Sequence, residues 1–364
     1  MTIRCITLLI SALLMVSHAY AAPSVSNVSG TRSDGNSMTI TGTGFGSGPN
    51  VVIFDDFEKG SNGSNISTGS SSAQVGGWNQ IEGSPEYSNS AKVSGSLAFR
   101  ADMSLSWIQR ITANLPSNTT KYFYSYWAYI PSSDNWPGSG DSAGINWKLI
   151  WFVMNQDLQG GFDHPVMLGQ AGDTNFSGFN CSGNPPTAVS AWLDGFNMTK
   201  GSWKRVWGYT HIATNGKMQI WDLTSNGVHT ALNQDMDTSS ATNVNYVKLN
   251  AYGRTTSNCH PMFDDVYVAT GDNAMARVEI GNAATYATCT QLAICTPDSW
   301  SSTSITATVR QGGFADAATA YLYVFDATGT ANTTGKEITF GSTSGGSSVA
   351  TAAGVTMSGG GTLR

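Results

Sequence analysis

The chain has 364 residues, of which 40% are hydrophobic and only 12% charged, with 41 Gly, 11 Trp and 13 Tyr. So many aromatic side chains in so weakly charged a chain exclude a disordered polyelectrolyte and require a packed core. A formal net charge of −6 without a basic cluster excludes nucleic acid, and an anionic membrane surface, as partners.

At the N-terminus, Arg4 precedes an apolar stretch over residues 6–16 that is too short to span a bilayer. Ala19-Tyr20-Ala21 then supplies a small-x-small cleavage pattern, so residues 1–21 are expected to be a signal peptide. The mature chain is expected outside the cell or on its surface, with a periplasm as the alternative, and no later run is long enough for a membrane helix. Cys5 leaves with the signal, and Cys181, Cys259, Cys289 and Cys295 remain. In an oxidising compartment these predict two disulfides: Cys289–Cys295 closing a short loop, and Cys181–Cys259 tying two loops of the central region.

After the signal the chain reads as short alternating runs separated by Gly, Asn, Ser and Pro, the pattern of an all-β sandwich. The first run carries Ile40, Gly42, Gly44, Phe45 and Gly46 in an I-x-G-x-G-F-G arrangement. This resembles the opening of the IPT/TIG family of immunoglobulin-like domains. The strands such a domain still needs do not follow; candidates appear only at Ala276–Asn282, Ser301–Val309 and Thr319–Phe340. Between them lies a block bracketed by Phe54–Gly60 (FDDFEKG) and Phe263–Gly271 (FDDVYVATG). That bracket resembles the first and last strands of concanavalin A-like jelly rolls of the LamG and polysaccharide-lyase kind, which lie side by side. The predicted architecture is therefore a jelly-roll sandwich, residues 51–272, inserted into a split Ig-like sandwich formed by 22–50 and 273–342. A Gly/Ser/Thr-rich tail over 343–364 follows.

Inside the central block the clearest strands are Lys121–Ile130, Ile145–Met154, Trp203–Ile212, Lys217–Leu223 and Tyr246–Arg254. Residues two apart on a strand share a face. In the last strand Val247, Leu249, Ala251 and Gly253 form an apolar face, and Tyr246, Lys248, Asn250, Tyr252 and Arg254 a polar-tipped one. Arg205, Tyr209 and His211 stand together on one face of Trp203–Ile212. Sugars suit such faces: their C–H faces stack on aromatic rings, their hydroxyls bond to amides and cations, and Arg or Lys neutralises a uronate. Arg205, Tyr209, Tyr246, Lys248, Asn250 and Arg254 are accordingly the candidate glycan-binding residues.

Tyr246-Val247-Lys248-Leu249-Asn250-Ala251-Tyr252 also resembles the YFKxGxY strand of jelly-roll alginate lyases, with Asn250 where Gly is usual. The resemblance implies Tyr252 as a proton-transferring residue and Lys248 as a groove cation. The family's Gln-Ile-His strand is missing; Trp151 occupies the corresponding run, and His211 or His164 would have to substitute. Glutamates at 58, 82, 86, 279 and 337 never form the paired carboxylates of a jelly-roll glycosidase. The residues thus favour a secreted polysaccharide-binding protein over an enzyme. Two rivals stay open: a lyase acting on a uronate polymer through Tyr252 and His211, and a structural or adhesive surface protein. Finally, Asp56 and Asp265, one from each bracket strand, are expected to approach each other, and a structural Ca²⁺ would relieve their repulsion.

Overall fold

The computed structural model describes residues 21–136, 147–154, 163–168, 175–176, 179–181, 189–191, 196–197, 199–223, 228–234, 242–253, 255–341 and 343–344. Residues 1–20 of the expected signal peptide, Arg254 and most of the expected tail lie outside them. Among the described residues all strand pairing is antiparallel, and the single helical element is a 3-10 turn at Tyr286–Thr288.

Two sheets make the central sandwich. The front sheet runs Val189–Ala191, Phe179–Cys181, Asp163–Leu168, Trp147–Met154, Val244–Tyr252, Ile108–Thr119, Gln80–Glu82. The back sheet runs Val228–Gln234, Gly216–Asp222, Lys204–His211, Lys121–Tyr129, Met262–Thr270, Ala98–Arg100, Glu86–Ser88. Strand alternation explains the packing: Val247, Leu249 and Ala251 join Ile111, Ala113 and Phe152 of the front sheet and Tyr122, Tyr124, Tyr126 and Val206 of the back sheet in one buried core. The bracket strands are neighbours, with Asn50–Asp55 paired to Met262–Thr270 and Asp55 opposite Val266.

Both chain ends contribute to a second sheet system, in the order Lys336–Thr339, Thr319–Phe325, Arg277–Gly281, Leu292–Trp300, Ser304–Thr308, Ser37–Thr43, Ser24–Thr31, Thr343–Ser344. Ile40 lies opposite Ile305, and both are buried with Val278, Ile280 and Leu322. The glycine motif has a steric cause. A Cβ on Gly42 would stand 1.9 Å from the Ser24 carbonyl oxygen and 2.6 Å from the Phe45 ring, and Gly44 has φ +76°.

The expected disulfides do not form. Cys259, Cys289 and Cys295 are free and buried. Along Leu292–Trp300, Ala293 and Cys295 face the core around Ile40, whereas Leu292 and Ile294 face a second cluster that also holds Cys289. The sheet therefore separates the two sulfurs that a short loop seemed to join. Cys259 is packed in the central core as a free thiol, and burial raises its pKa; the side chain of Cys181 lies outside the described residues.

That second cluster is the seam between the back sheet and the second sheet system. Phe123, Trp207, Trp221 and Tyr267 from the outer side of the back sheet pack with Leu292, Ile294, Tyr323 and Phe325. At its centre Glu279 accepts from Arg205 (Nη1–Oε2 2.9 Å), from Arg277 Nε and from the Tyr286 hydroxyl (2.9 Å). Arg277 also stacks on Phe325, 3.6 Å from guanidinium carbon to ring centroid.

Candidate functional site

The outer face of the front sheet gathers most of the described polar and aromatic candidates. With Val247, Leu249 and Ala251 committed to the core, Tyr246, Lys248, Asn250 and Tyr252 project to the other side. Register extends the face sideways. Lys248 lies opposite Thr112 on one neighbour and Trp151 on the other, and Asn250 lies opposite Arg110, which in turn faces Glu82. Arg110 Nη2 and Glu82 Oε2 are 2.6 Å apart.

The face is not an ordinary solvated one. Lys248 is 1% and Asn250 0% exposed, while Tyr246, Tyr252 and Lys148 are half-buried around them. Lysine is almost never so buried unless it is paired. Aromatic rings and ammonium groups interleave: Lys148 Nζ is 4.1 Å from the Tyr252 ring centroid and 5.1 Å from that of Trp151, and Lys248 Nζ is 5.3 Å from Trp151. Trp151 and Tyr252 meet edge to face at 5.8 Å. Neither polar atom of the Asn250 carboxamide, nor the Trp151 indole nitrogen, has a hydrogen-bond partner. The arrangement sets two ammonium groups among aromatic rings beside one unsatisfied carboxamide, groups whose chemistry suits a polyhydroxylated, negatively charged molecule.

The remaining candidates stand elsewhere. Arg205, Tyr209 and His211 belong to the back sheet, whose outer side faces the opposite way. Arg205 is 1% exposed and bonded to Glu279 and Ser125, so the structure places it in the seam. Tyr209 packs at the edge of the same seam, and His211 lies opposite Lys121, far from the sheet that carries Tyr252. Burial, followed by the Lys121 charge, lowers the His211 pKa. Period two sorted faces correctly within each strand but could not say to which sheet a strand belonged. Lys148 and Arg110 join this face without being among the candidates named from the sequence. Lys148 escapes alternation because the pairing is irregular between Leu249 and Tyr252, and Leu149 and Ile150 both enter the core. Arg110 had a readable signal, since Ile111 and Ala113 mark the opposite face of its strand.

Asp56 and Asp265 line one cleft of about 580 Å³, together with Asp34, Glu58, Asp316 and Arg310. Asp56 Oδ1 accepts from Gln74 (2.6 Å), and its Oδ2 lies 3.7 Å from Arg310 Nη1. Asp265 Oδ1 accepts from Ser94 Oγ (2.8 Å), and neighbouring Asp264 takes the Val93 and Ser94 amides. Ca²⁺ binds through about six to eight oxygens. Among the described residues no three carboxylates, thiols or imidazoles gather as a ligand set. Arg310 supplies a positive charge beside Asp56.

No known protein family matches the sequence, and no curated protein matches it. Among solved structures, an endo-β-1,4-glucuronan lyase from the fungus Trichoderma reesei is 12% identical, over 54% of this chain and 92% of that one, at TM-score 0.36. A mutant alginate lyase in complex with an alginate trisaccharide is 15% identical over 61% and 99%, at TM-score 0.36. The binding domain of botulinum neurotoxin serotype G is 8% identical over 76% and 73%, at TM-score 0.39. At these scores the likenesses assign neither a family nor a function.

Proposed function

We propose that the protein is a secreted carbohydrate-binding protein that takes an acidic polysaccharide on the outer face of its front sheet. The reading rests above all on the cluster in which Lys148 and Lys248 flank Trp151, with Lys148 also against Tyr252. A uronate carboxylate pairs with an ammonium group while the ring C–H face lies on an aromatic side chain. Asn250, with both polar atoms unpaired, adds a donor and an acceptor if the face opens around a ligand. Secretion is supported by Arg4, the apolar residues 6–16 and Ala19-Tyr20-Ala21. In this proposal the sheets built from both chain ends act as a split immunoglobulin-like stalk.

Binding is put ahead of elimination because, among the described side chains, no base is identified beside Tyr252. His211 and His229 lie in back-sheet strands, and His260 is engaged by Asp134 (Nδ1–Oδ2 2.9 Å). His164 is in a front-sheet strand, at a register position opposite Phe152. A panel of immobilised glycans tests the proposal. Retention on polyuronates such as alginate, and weaker retention on neutral glucans, is expected, without the ultraviolet absorbance of an unsaturated product. Accumulation of that product, lost in Tyr252→Phe, would establish the lyase instead. Retention on no glycan at all would leave a structural or adhesive role.

A further inference from the structure

Resting on that reading, we infer that Trp107 is a second sugar-stacking residue, which extends the site so that it holds an oligosaccharide chain rather than a single sugar. Three large apolar side chains among the described residues are exposed: Ile81, Leu105 and Trp107. Two of them belong to one short loop, and Trp107, 41% exposed, stands at the end of the front face. Its ring meets the Tyr252 ring edge to face at 5.4 Å, so Tyr252 is shared between Trp107 on one side and Lys148 and Trp151 on the other.

The loop is held, not loose. Backbone bonds zip it to residues 253–261: Ala101 N to Pro261 O (2.9 Å), Met103 N to Cys259 O (3.0 Å), Ser257 N to Met103 O (3.1 Å) and Gly253 N to Trp107 O (2.9 Å). Met103 is fully buried beneath it. Asp102 accepts from Ser104 and lies 3.6 Å from His260 Nε2, whose other ring nitrogen is fixed by Asp134. A rigid backbone that presents an indole outward, next to a cationic and aromatic face, is a preorganised stacking surface. Trp107 touches Tyr252 (5.4 Å between centroids) and Tyr252 touches Trp151 (5.8 Å), so the exposed indole is continuous with the cationic and aromatic cluster. The ligand class is thus an oligouronate entering from the Trp107 end.

The experiment is calorimetric titration of the full chain with mannuronate oligomers from dimer to hexamer, comparing wild type, Trp107→Ala, Trp107→Phe and Lys148→Ala. Wild-type affinity should rise with length. Trp107→Ala should lower hexamer affinity roughly two- to tenfold, as loss of one aromatic contact implies, while leaving the dimer unchanged. Trp107→Phe should recover most of the loss, which a merely steric or folding defect would not allow. Lys148→Ala should weaken every length. Hexamer binding by Trp107→Ala equal to wild type, with Lys148→Ala impaired, would overturn the inference and leave the binding reading intact. Failure of wild type to bind any length would remove the reading itself, and the inference with it.

Discussion

Single residues decide more here than their exposure suggests. Tyr124 and Tyr126 stack in the central core, and neither hydroxyl has a hydrogen-bond partner. A buried orphan hydroxyl costs about 1–3 kcal/mol. Tyr124→Phe and Tyr126→Phe are therefore expected to hold or raise the melting temperature; a clear drop for both would mean that the hydroxyls are satisfied in solution. The acidic doublets pose a related question. Arg310 stands beside Asp56, and Gln74 and Ser94 bond to the two carboxylates, so melting in EDTA should match melting without it. A melt lowered by EDTA would restore a cation to Asp56 and Asp265.

Elements were the most legible scale. Expected Lys121–Ile130, Trp203–Ile212 and Tyr246–Arg254 correspond to strands Lys121–Tyr129, Lys204–His211 and Val244–Tyr252, because alternation of β-branched and aromatic residues survives into the fold. The apolar face Val247, Leu249 and Ala251 was readable for the same reason. Leu249→Ala should cost about 2–5 kcal/mol in denaturant unfolding, and a negligible cost would place Leu249 outside the core. Sheet membership was not readable, because pairing partners lie far apart in sequence: Arg205 and Lys248 have equally convincing faces, yet one enters a buried seam and the other the candidate site. Short sequence distance misled for the cysteines. Cys289 and Cys295 are six positions apart but occupy different clusters, so mobility and melting should be unchanged by reductant. A reductant-dependent shift would show that the pair closes after all.

At the scale of the whole molecule, the seam joins the two units through an aromatic cluster around a buried ionic centre. Burial alone would raise the Glu279 pKa, but Arg205 and Arg277 overcome it and hold the carboxyl at about 2. Removing one partner of such a group leaves uncompensated buried charge, so Glu279→Gln should destabilise by about 3–5 kcal/mol. Both units should then melt together at a lower temperature; an unchanged melt would contradict a joint seam. The same groups set the pH dependence. Glu279, depressed in the fold, contributes stability above its ordinary value of 4.5 that is lost as pH falls toward about 2. Asp55 is pushed up to about 7 by burial, against its bonds from Trp78 and Phe57, so its contribution is present below 3.8 and lost as pH rises through about 7. The fold should accordingly be more stable at about pH 5 than at about pH 8, and weaken again below about pH 3; a melting temperature rising steadily with pH would refute this. The central claim, that the front face binds acidic glycan, is tested most directly by titrating the full chain with alginate at low and high salt, alongside Lys148→Ala. The account predicts binding that weakens as salt screens the ammonium groups and that is strongly reduced in the variant. Equal affinity for wild type and Lys148→Ala, insensitive to salt, would contradict it.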